Sequence, residues 1–163
     1  MREIELRVTG ANKKIRGNVI LEDVSLTMHS GKICGLQGSN GSGKTMLMRA
    51  ICGLIRLDSG SVSVSGKVLG KDMAFLENTG ILIESPAFLN GYTGLQNLMY
   101  LADIQKRVGR EEVRQTLTRV GLDPDDKRKL RKYSLGMKQR LGIASAMLAF
   151  PKLLILDEPT SQL

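Results

Sequence analysis

The stretch Gly38-Ser39-Asn40-Gly41-Ser42-Gly43-Lys44-Thr45 constrains this chain more than any other. It follows the apolar run Ile33-Cys34-Gly35-Leu36, which predicts a short buried strand. It precedes apolar residues at Leu47, Ala50, Ile51, Leu54 and Ile55, which predict a helix starting near Lys44. Strand, glycine-rich turn and helix form the context of a phosphate-binding loop. The glycines let successive N–H groups turn inward on an anion with no Cβ in the way, and the helix adds unpaired amides and the positive end of its dipole. Lys44 suits the β- and γ-phosphates, and the Thr45 hydroxyl suits Mg²⁺. These residues predict a nucleoside triphosphate site over Gly38–Thr45, with Met46 next along the helix.

A chain of 163 residues is enough for one domain with a core, and with aromatic residues at 4% that core must be aliphatic. No uninterrupted apolar segment reaches the ~18 residues of a membrane span, and the alternating start Met1-Arg-Glu-Ile-Glu-Leu is not a signal peptide. Cys34 and Cys52 flank the loop without metal-ligand spacing. They read as small buried hydrophobes in a reducing compartment, which points to the cytoplasm. His29, the single histidine, falls in a turn and reads as a surface residue. The net charge of +8 is densest over Lys127–Lys132, after Asp123, Asp125 and Asp126. With only Tyr133 beside it to stack on a base, this run reads as a solvated face; anionic lipid headgroups or an acidic partner suit it better than nucleic acid.

Period-two alternation predicts strands over 3–8 and 19–28, and the cluster Gly10, Asn12, Gly17 and Asn18 predicts a turn from Thr9 to Asn18. A turn at Leu57–Gly60 precedes a strand over 61–65, and Gly66-Lys67 predicts a hairpin. A buried strand over 80–84 ends at Glu84, with Ser85-Pro86 as its breaker. Helical spacing marks 93–108, 110–120 and 137–150, with Gly121 and Asp123-Pro124 closing the second helix and Pro151 the third. The apolar run Lys152–Leu156 predicts a strand buried on both faces of a parallel sheet. It delivers Asp157 and Glu158 to a carboxyl end, where ligands of open α/β sheets bind. Asp157 is the candidate to complete a Mg²⁺ site with Thr45, and Glu158 the candidate base for an attacking water.

Between loop and strand lies Tyr133-Ser134-Leu135-Gly136-Met137-Lys138-Gln139. A phosphate loop, then Ser-x-Gly-x-x-Gln opening a helix, then an aliphatic strand with Asp157-Glu158-Pro-Thr, resembles the nucleotide-binding domain of ABC transporters. The resemblance covers nearly the whole chain, and the signature between the other two motifs separates it from kinases, helicases and GTPases. It implies an α/β fold: a P-loop NTPase core with a mainly parallel sheet, an antiparallel β-subdomain at the N-terminus and an inserted helical subdomain. It also implies a single ABC-type ATPase domain over 1–163, with its core at about 1–84 and 136–163 and the helical part at about 85–135.

The same resemblance implies ATP and Mg²⁺ as ligands, with Lys44 and Glu158 in catalysis and Thr45, Asp157 and Glu84 at the metal. Glu84 stands where the family usually has a glutamine. Ser134, Gly136 and Gln139 belong to the signature that covers the γ-phosphate of a partner's ATP, so a second ATPase domain, as a homodimer or paired copy, is implied. An integral-membrane transporter subunit is the other implied partner, and the location is cytoplasmic, peripheral on the inner face of the cell membrane. The segments Leu82-Ile83-Glu84-Ser-Pro-Ala-Phe88 and Pro86–Leu98 look similar to peptide- and drug-export subfamilies of the bacitracin and lantibiotic type. There Phe88 and Tyr92 would lie in the groove that receives a coupling helix. The implied function is the energising subunit of an exporter, closed by ATP and opened by hydrolysis. The alternatives are a soluble ATPase of this family acting on nucleic acid or ribosomes, or a nucleotide-binding fragment with little hydrolysis.

Three positions depart from the family's pattern. Ile15 stands where an aromatic residue usually meets adenine, Leu135 where the signature has glycine, and Met137 where it has glutamine. The sequence also stops at Leu163, before the family's D-loop aspartate and switch histidine. It therefore reads as a truncated domain expected to bind MgATP and to hydrolyse it poorly on its own.

Overall fold

Alternation of apolar and polar side chains produces the first sheet. Strands β1 (Glu5–Ile15) and β2 (Asn18–His29) pair antiparallel, Leu6 opposite Met28 and Val8 opposite Leu26. On the other side of β1 lies β3 (Ser59–Val64), which turns into the short β4 (Lys67–Val68), so the sheet order is β2-β1-β3-β4. The computed structural model describes residues 4–84 and 87–160. It divides into two compact units, one running to Glu77 and one beginning at Asn78. Glu3 and the strand breaker Ser85-Pro86 lie outside the described residues.

The turn expected from Thr9 to Asn18 is instead mostly strand. Only Arg16-Gly17 reverses the chain, and the other turn-forming residues serve bulges that shift the register between Val8 and Lys14. Gly10 takes a left-handed φ of +54°, its N–H donating to Ser25 Oγ at 2.9 Å. The Asn12 side chain holds the same bulge, donating to the Gly10 carbonyl at 2.9 Å and accepting the Asp23 N–H at 3.0 Å. Gly60 of β3 crosses here, and a Cβ on it would lie 2.2 Å from the Gly10 carbonyl oxygen.

Helix α1 (Lys44–Ile51) buries Leu47, Ala50 and Ile51. It stops short of Leu54, where Gly53 adopts a left-handed φ of +75°. The strand expected at Ile33–Leu36 does not form: the segment belongs to no sheet, and Ile33 is fully exposed. A strand needs a neighbour for its N–H and C=O groups, and no strand among the described residues pairs with it. Cys34 is consequently exposed rather than buried, whereas Cys52 is buried as expected and its thiol pKa is pushed up to about 11 by desolvation. His29 is exposed as expected, although it ends β2 rather than falling in the turn.

In the second unit β5 (Thr79–Leu82) and β6 (Leu153–Leu156) pair parallel, with Leu82 opposite Leu156. The chain between them forms α2 (Gly94–Gln105), α3 (Arg110–Arg119), a 3₁₀ turn at Leu130–Lys132 and α4 (Leu135–Met147). A capping box starts α2: Thr93 Oγ1 accepts the Gln96 N–H at 3.2 Å and Gln96 Oε1 accepts the Thr93 N–H at 3.0 Å. Gly121, at φ +72°, follows the end of α3. Helix α4 ends before the expected Phe150, because Ala149 and Phe150 turn left-handed ahead of Pro151. Leu98, Val113, Leu117 and Leu141 centre the aliphatic core of this unit. Gly80 lets α4 lie against β5, since a Cβ there would come 1.8 Å from the Ala146 carbonyl oxygen.

This is the expected α/β class: an antiparallel N-terminal sheet, a separate parallel sheet and inserted helices. The parallel sheet is two-stranded among the described residues. The apolar run of β6 predicts burial on both faces, but Leu154 is 40% exposed: its side chain points out of the sheet on a face that is left open at this position. Among the described residues no helix is long and apolar enough to cross a membrane. Replacing the fully buried Leu141 by alanine is expected to cost about 2–5 kcal/mol in urea unfolding, against less than about 0.5 kcal/mol for Leu135→Ala, whose side chain is 68% exposed.

Candidate functional site

The phosphate loop of the first unit is shaped by three backbone constraints. Ser42 N–H donates to the Ser39 carbonyl at 3.2 Å, and Gly41 and Gly43 sit at φ +82° and +88°. A Cβ on Gly38 would approach Ser42 Oγ to 2.6 Å, and one on Gly43 would lie 2.5 Å from the Ile20 carbonyl oxygen of β2. Glycine is required here for space as well as for conformation. No side chain caps the N-terminus of α1 and no acid stands in its first turn, which leaves amides and dipole to an anion. Lys44 folds back over the loop, its Nζ donating to the carbonyls of Gly38 at 2.8 Å and Ser39 at 2.9 Å. Thr45 and Met46 follow on the first turn, both half-buried. Glycines without Cβ atoms, an uncapped helix start and the Lys44 ammonium fit a triphosphate.

Ile15 ends β1 at the hairpin, 38% exposed. Asp58 fixes this end. Its carboxylate accepts the Lys13 ammonium at 2.8 Å and the Lys14 N–H at 2.6 Å, and these bonds, that from Lys13 foremost, hold it below the usual carboxylate pKa. In the sequence Asp58 looks like an ordinary turn residue, because its partners lie more than forty positions away.

In the second unit the parallel register brings the carboxyl ends of β5 and β6 to one edge. Glu84 lies two residues beyond Leu82 and Asp157 directly follows Leu156, with the Asp157 N–H donating to the Leu82 carbonyl at 2.8 Å. Glu84 and Glu158 both hold left-handed φ values, +64° and +44°, conformations that cost energy for residues with a Cβ and cluster at functional sites. Ser134 caps α4, its Oγ accepting the Met137 N–H at 3.2 Å, and Gly136 lies in the first turn. One turn on, Gln139 Nε2 donates to the Glu158 carbonyl at 3.3 Å, joining the signature helix to the acidic turn. Among the described residues no three His, Cys, Asp or Glu side chains form a metal cluster. Mg²⁺ needs none: it keeps several waters and takes one or two carboxylates with phosphate oxygens.

Phe88 packs inward against the helical core, whereas Tyr92 is 47% exposed. Tyr92 borders a groove of about 630 Å³ with Met99, Tyr100, Lys127 and Lys129. The basic run is partly paired: Arg128 with Asp126 at 2.8 Å and, just before it, Arg114 with Asp125 at 2.7 and 2.9 Å. Each partner guanidinium holds its acid below the usual carboxylate range. Asn97, which looks like a surface residue of a helix, is buried and bonds the loop that carries Tyr92. Its signal is invisible in sequence, because its partners are main-chain groups.

A glycine-shaped phosphate loop with a helix-capping Ser-x-Gly and a strand-end Asp-Glu defines an ATP-binding domain. Residues 21–161 match the model of the ABC transporter family. The chain is 43% identical over 156 residues to the uncharacterized ABC transporter ATP-binding protein YybJ of Bacillus subtilis, covering 96% of this chain and 72% of that protein. It is 36% identical to the bacitracin transport ATP-binding protein BcrA of Bacillus licheniformis, covering 97% and 52%. It is likewise 36% identical to the lantibiotic transport ATP-binding protein SrtF of Streptococcus pyogenes, covering 97% and 68%. The chain thus spans about half to three quarters of the length of these relatives. It belongs to the ABC transporter family, as an ATP-binding domain.

Two outcomes are expected. Gly43→Ala, which forces a Cβ against the Ile20 carbonyl, should weaken nucleotide binding at least tenfold in a fluorescent-nucleotide titration while the fold persists by circular dichroism. Asp58, Asp125 and Asp126 titrate lower in the folded than in the unfolded chain, so their stabilisation is complete above the ordinary value of 3.8 and is lost as pH falls through the folded values. The melting temperature should drop below about pH 4, with a shallower acid slope in Asp58→Asn and Asp125→Asn.

Proposed function

We propose that this chain is the nucleotide-driven part of a membrane exporter, in which ATP closes two ATPase domains head to tail and hydrolysis lets them open. The observation that carries the reading is a second phosphate-suited helix start that faces outward: Ser134 and Leu135 are exposed at the beginning of α4. That face is open to a nucleotide held by another copy, whose γ-phosphate Ser134 and Gly136 would cover. Lys44 and the amides of Gly38–Thr45 bind the chain's own triphosphate, with Met46 beside them and Ile15 offering the base an apolar contact. Thr45, Asp157 and Glu84 would hold Mg²⁺, which would neutralise phosphate charge. Glu158 takes a proton from the attacking water, and Gln139 steadies it through its carbonyl.

The exposed Tyr92, backed by the inward Phe88, suits contact with an integral-membrane subunit, which sets the domain on the cytoplasmic face. The bacitracin and lantibiotic transport proteins among its relatives favour an amphiphilic peptide antibiotic as cargo.

Lys44→Ala should weaken ATP binding at least tenfold. Glu158→Gln should keep binding and lose about 10²–10⁴-fold in turnover, measured in the complex with the membrane subunit. Sedimentation of Glu158→Gln at saturating MgATP should show a dimer; a monomer there overturns the head-to-tail reading.

A further inference from the structure

The loop after β5 and the segment that leads into α4 are some forty residues apart and hydrogen-bonded to each other. Leu130 N–H donates to the Tyr92 carbonyl at 2.8 Å, and Arg131 N–H to the Asn90 carbonyl at 3.3 Å. Beneath the loop sits Asn97 of α2, only 3% exposed. Its Oδ1 accepts the Leu89 N–H at 2.7 Å, and its Nδ2 donates to the carbonyls of Leu89 at 3.2 Å and Thr93 at 3.0 Å. One buried side chain thereby closes both main-chain groups of Leu89 and ties them to the start of α2.

The other side of the junction is equally close. Tyr133 is 6% exposed, and its hydroxyl lies so near the Gly94 backbone that a Cβ on Gly94 would stand 2.7 Å from it. Tyr133 is followed directly by Ser134, which caps α4. A continuous path of bonds and packed backbone therefore runs from Asn97 through Leu89–Tyr92 to Leu130, Tyr133 and Ser134. An aliphatic side chain would suit the surrounding apolar core; an amide in that place instead specifies one loop position, because any displacement leaves buried polar groups unmatched.

We propose that Asn97 is a positioning residue that locks residues 89–92 to residues 130–133, so that a push on the exposed Tyr92 loop reaches Ser134 and the N-terminus of α4. What Ser134 does there rests on the function proposed above; the lock itself rests only on contacts within the second unit.

Hydrogen exchange read by NMR tests the lock. In Asn97→Asp, which removes the donor, the amides of Leu89, Leu130, Arg131 and Met137 should exchange at least tenfold faster together, while those of α3 stay unchanged. Acceleration confined to Leu89 overturns the proposal. Should Asn97→Asp fail to fold, Tyr133→Phe attacks the junction from its other side: faster exchange at both Leu130 and Met137 supports the lock, and unchanged exchange refutes it. MgATP-driven self-association supplies the functional readout, expected to weaken about tenfold in Asn97→Asp while nucleotide affinity stays within about twofold. Equal self-association of wild type and variant overturns the lock. Absence of self-association in the wild type overturns the head-to-tail reading instead, and leaves the exchange result to decide the lock.

Discussion

An ammonium group seated on two peptide carbonyls sets the shape of the phosphate loop. A curled backbone aims its N–H groups at one point and must direct carbonyls elsewhere, and the Lys44 contacts at 2.8 and 2.9 Å satisfy two of these. The same contacts tether Gly38 and Ser39 to the helix that carries Lys44. Gly43, pressed against the Ile20 carbonyl, fastens the other end to β2. When a phosphate binds, the lysine has only to exchange one set of oxygens for another, and little reorganisation is needed.

The second unit reaches the same end by different physics. No lysine organises it. A parallel register fixes where Glu84 and Asp157 emerge, and main-chain bonds from Asp157 and to Glu158 fix the turn that follows. Glu84 and Glu158 flank these bonds in left-handed backbone, a conformation that residues with a Cβ keep only where the surrounding structure holds it. Side-chain amides then take the role that the ammonium has in the first unit: Gln139 at the acidic turn, Asn97 at the loop.

What was legible in the sequence was local chemistry. The loop, the start of α1 and the Asp157-Glu158 pair after β6 all depend on neighbours within a few residues, and each lies where its pattern predicts. What was not legible depended on distant partners. Gly10 and Asn12 carry turn chemistry, yet the pairing of β1 with both β2 and β3 recruits that chemistry into bulges. Ile33–Leu36 has the composition of a buried strand, but pairing is a property of neighbours rather than of composition. Asp58 and Asn97 were missed for the same reason: a polar side chain announces its type in the sequence and its partner only in the fold.

Positive charge makes the point from the other direction. The run Lys127–Lys132 is the most basic stretch of the chain, yet much of it is turned to internal use. Arg128 lies on Asp126 and 6.0 Å from the Tyr133 ring, Lys129 leans on Gln96 at 3.5 Å, and Leu130 and Tyr133 are buried beneath them. The Tyr133 ring that Arg128 covers faces the core, whereas the exposed Tyr92 and Tyr100 border the groove beside Lys127 and Lys129. Lys44 is one cation among 24 basic residues, but it bonds main-chain carbonyls of a glycine-rich loop at a helix start. Charge density attracts anions in general; a phosphate site arises where backbone amides converge on the same point as the charge.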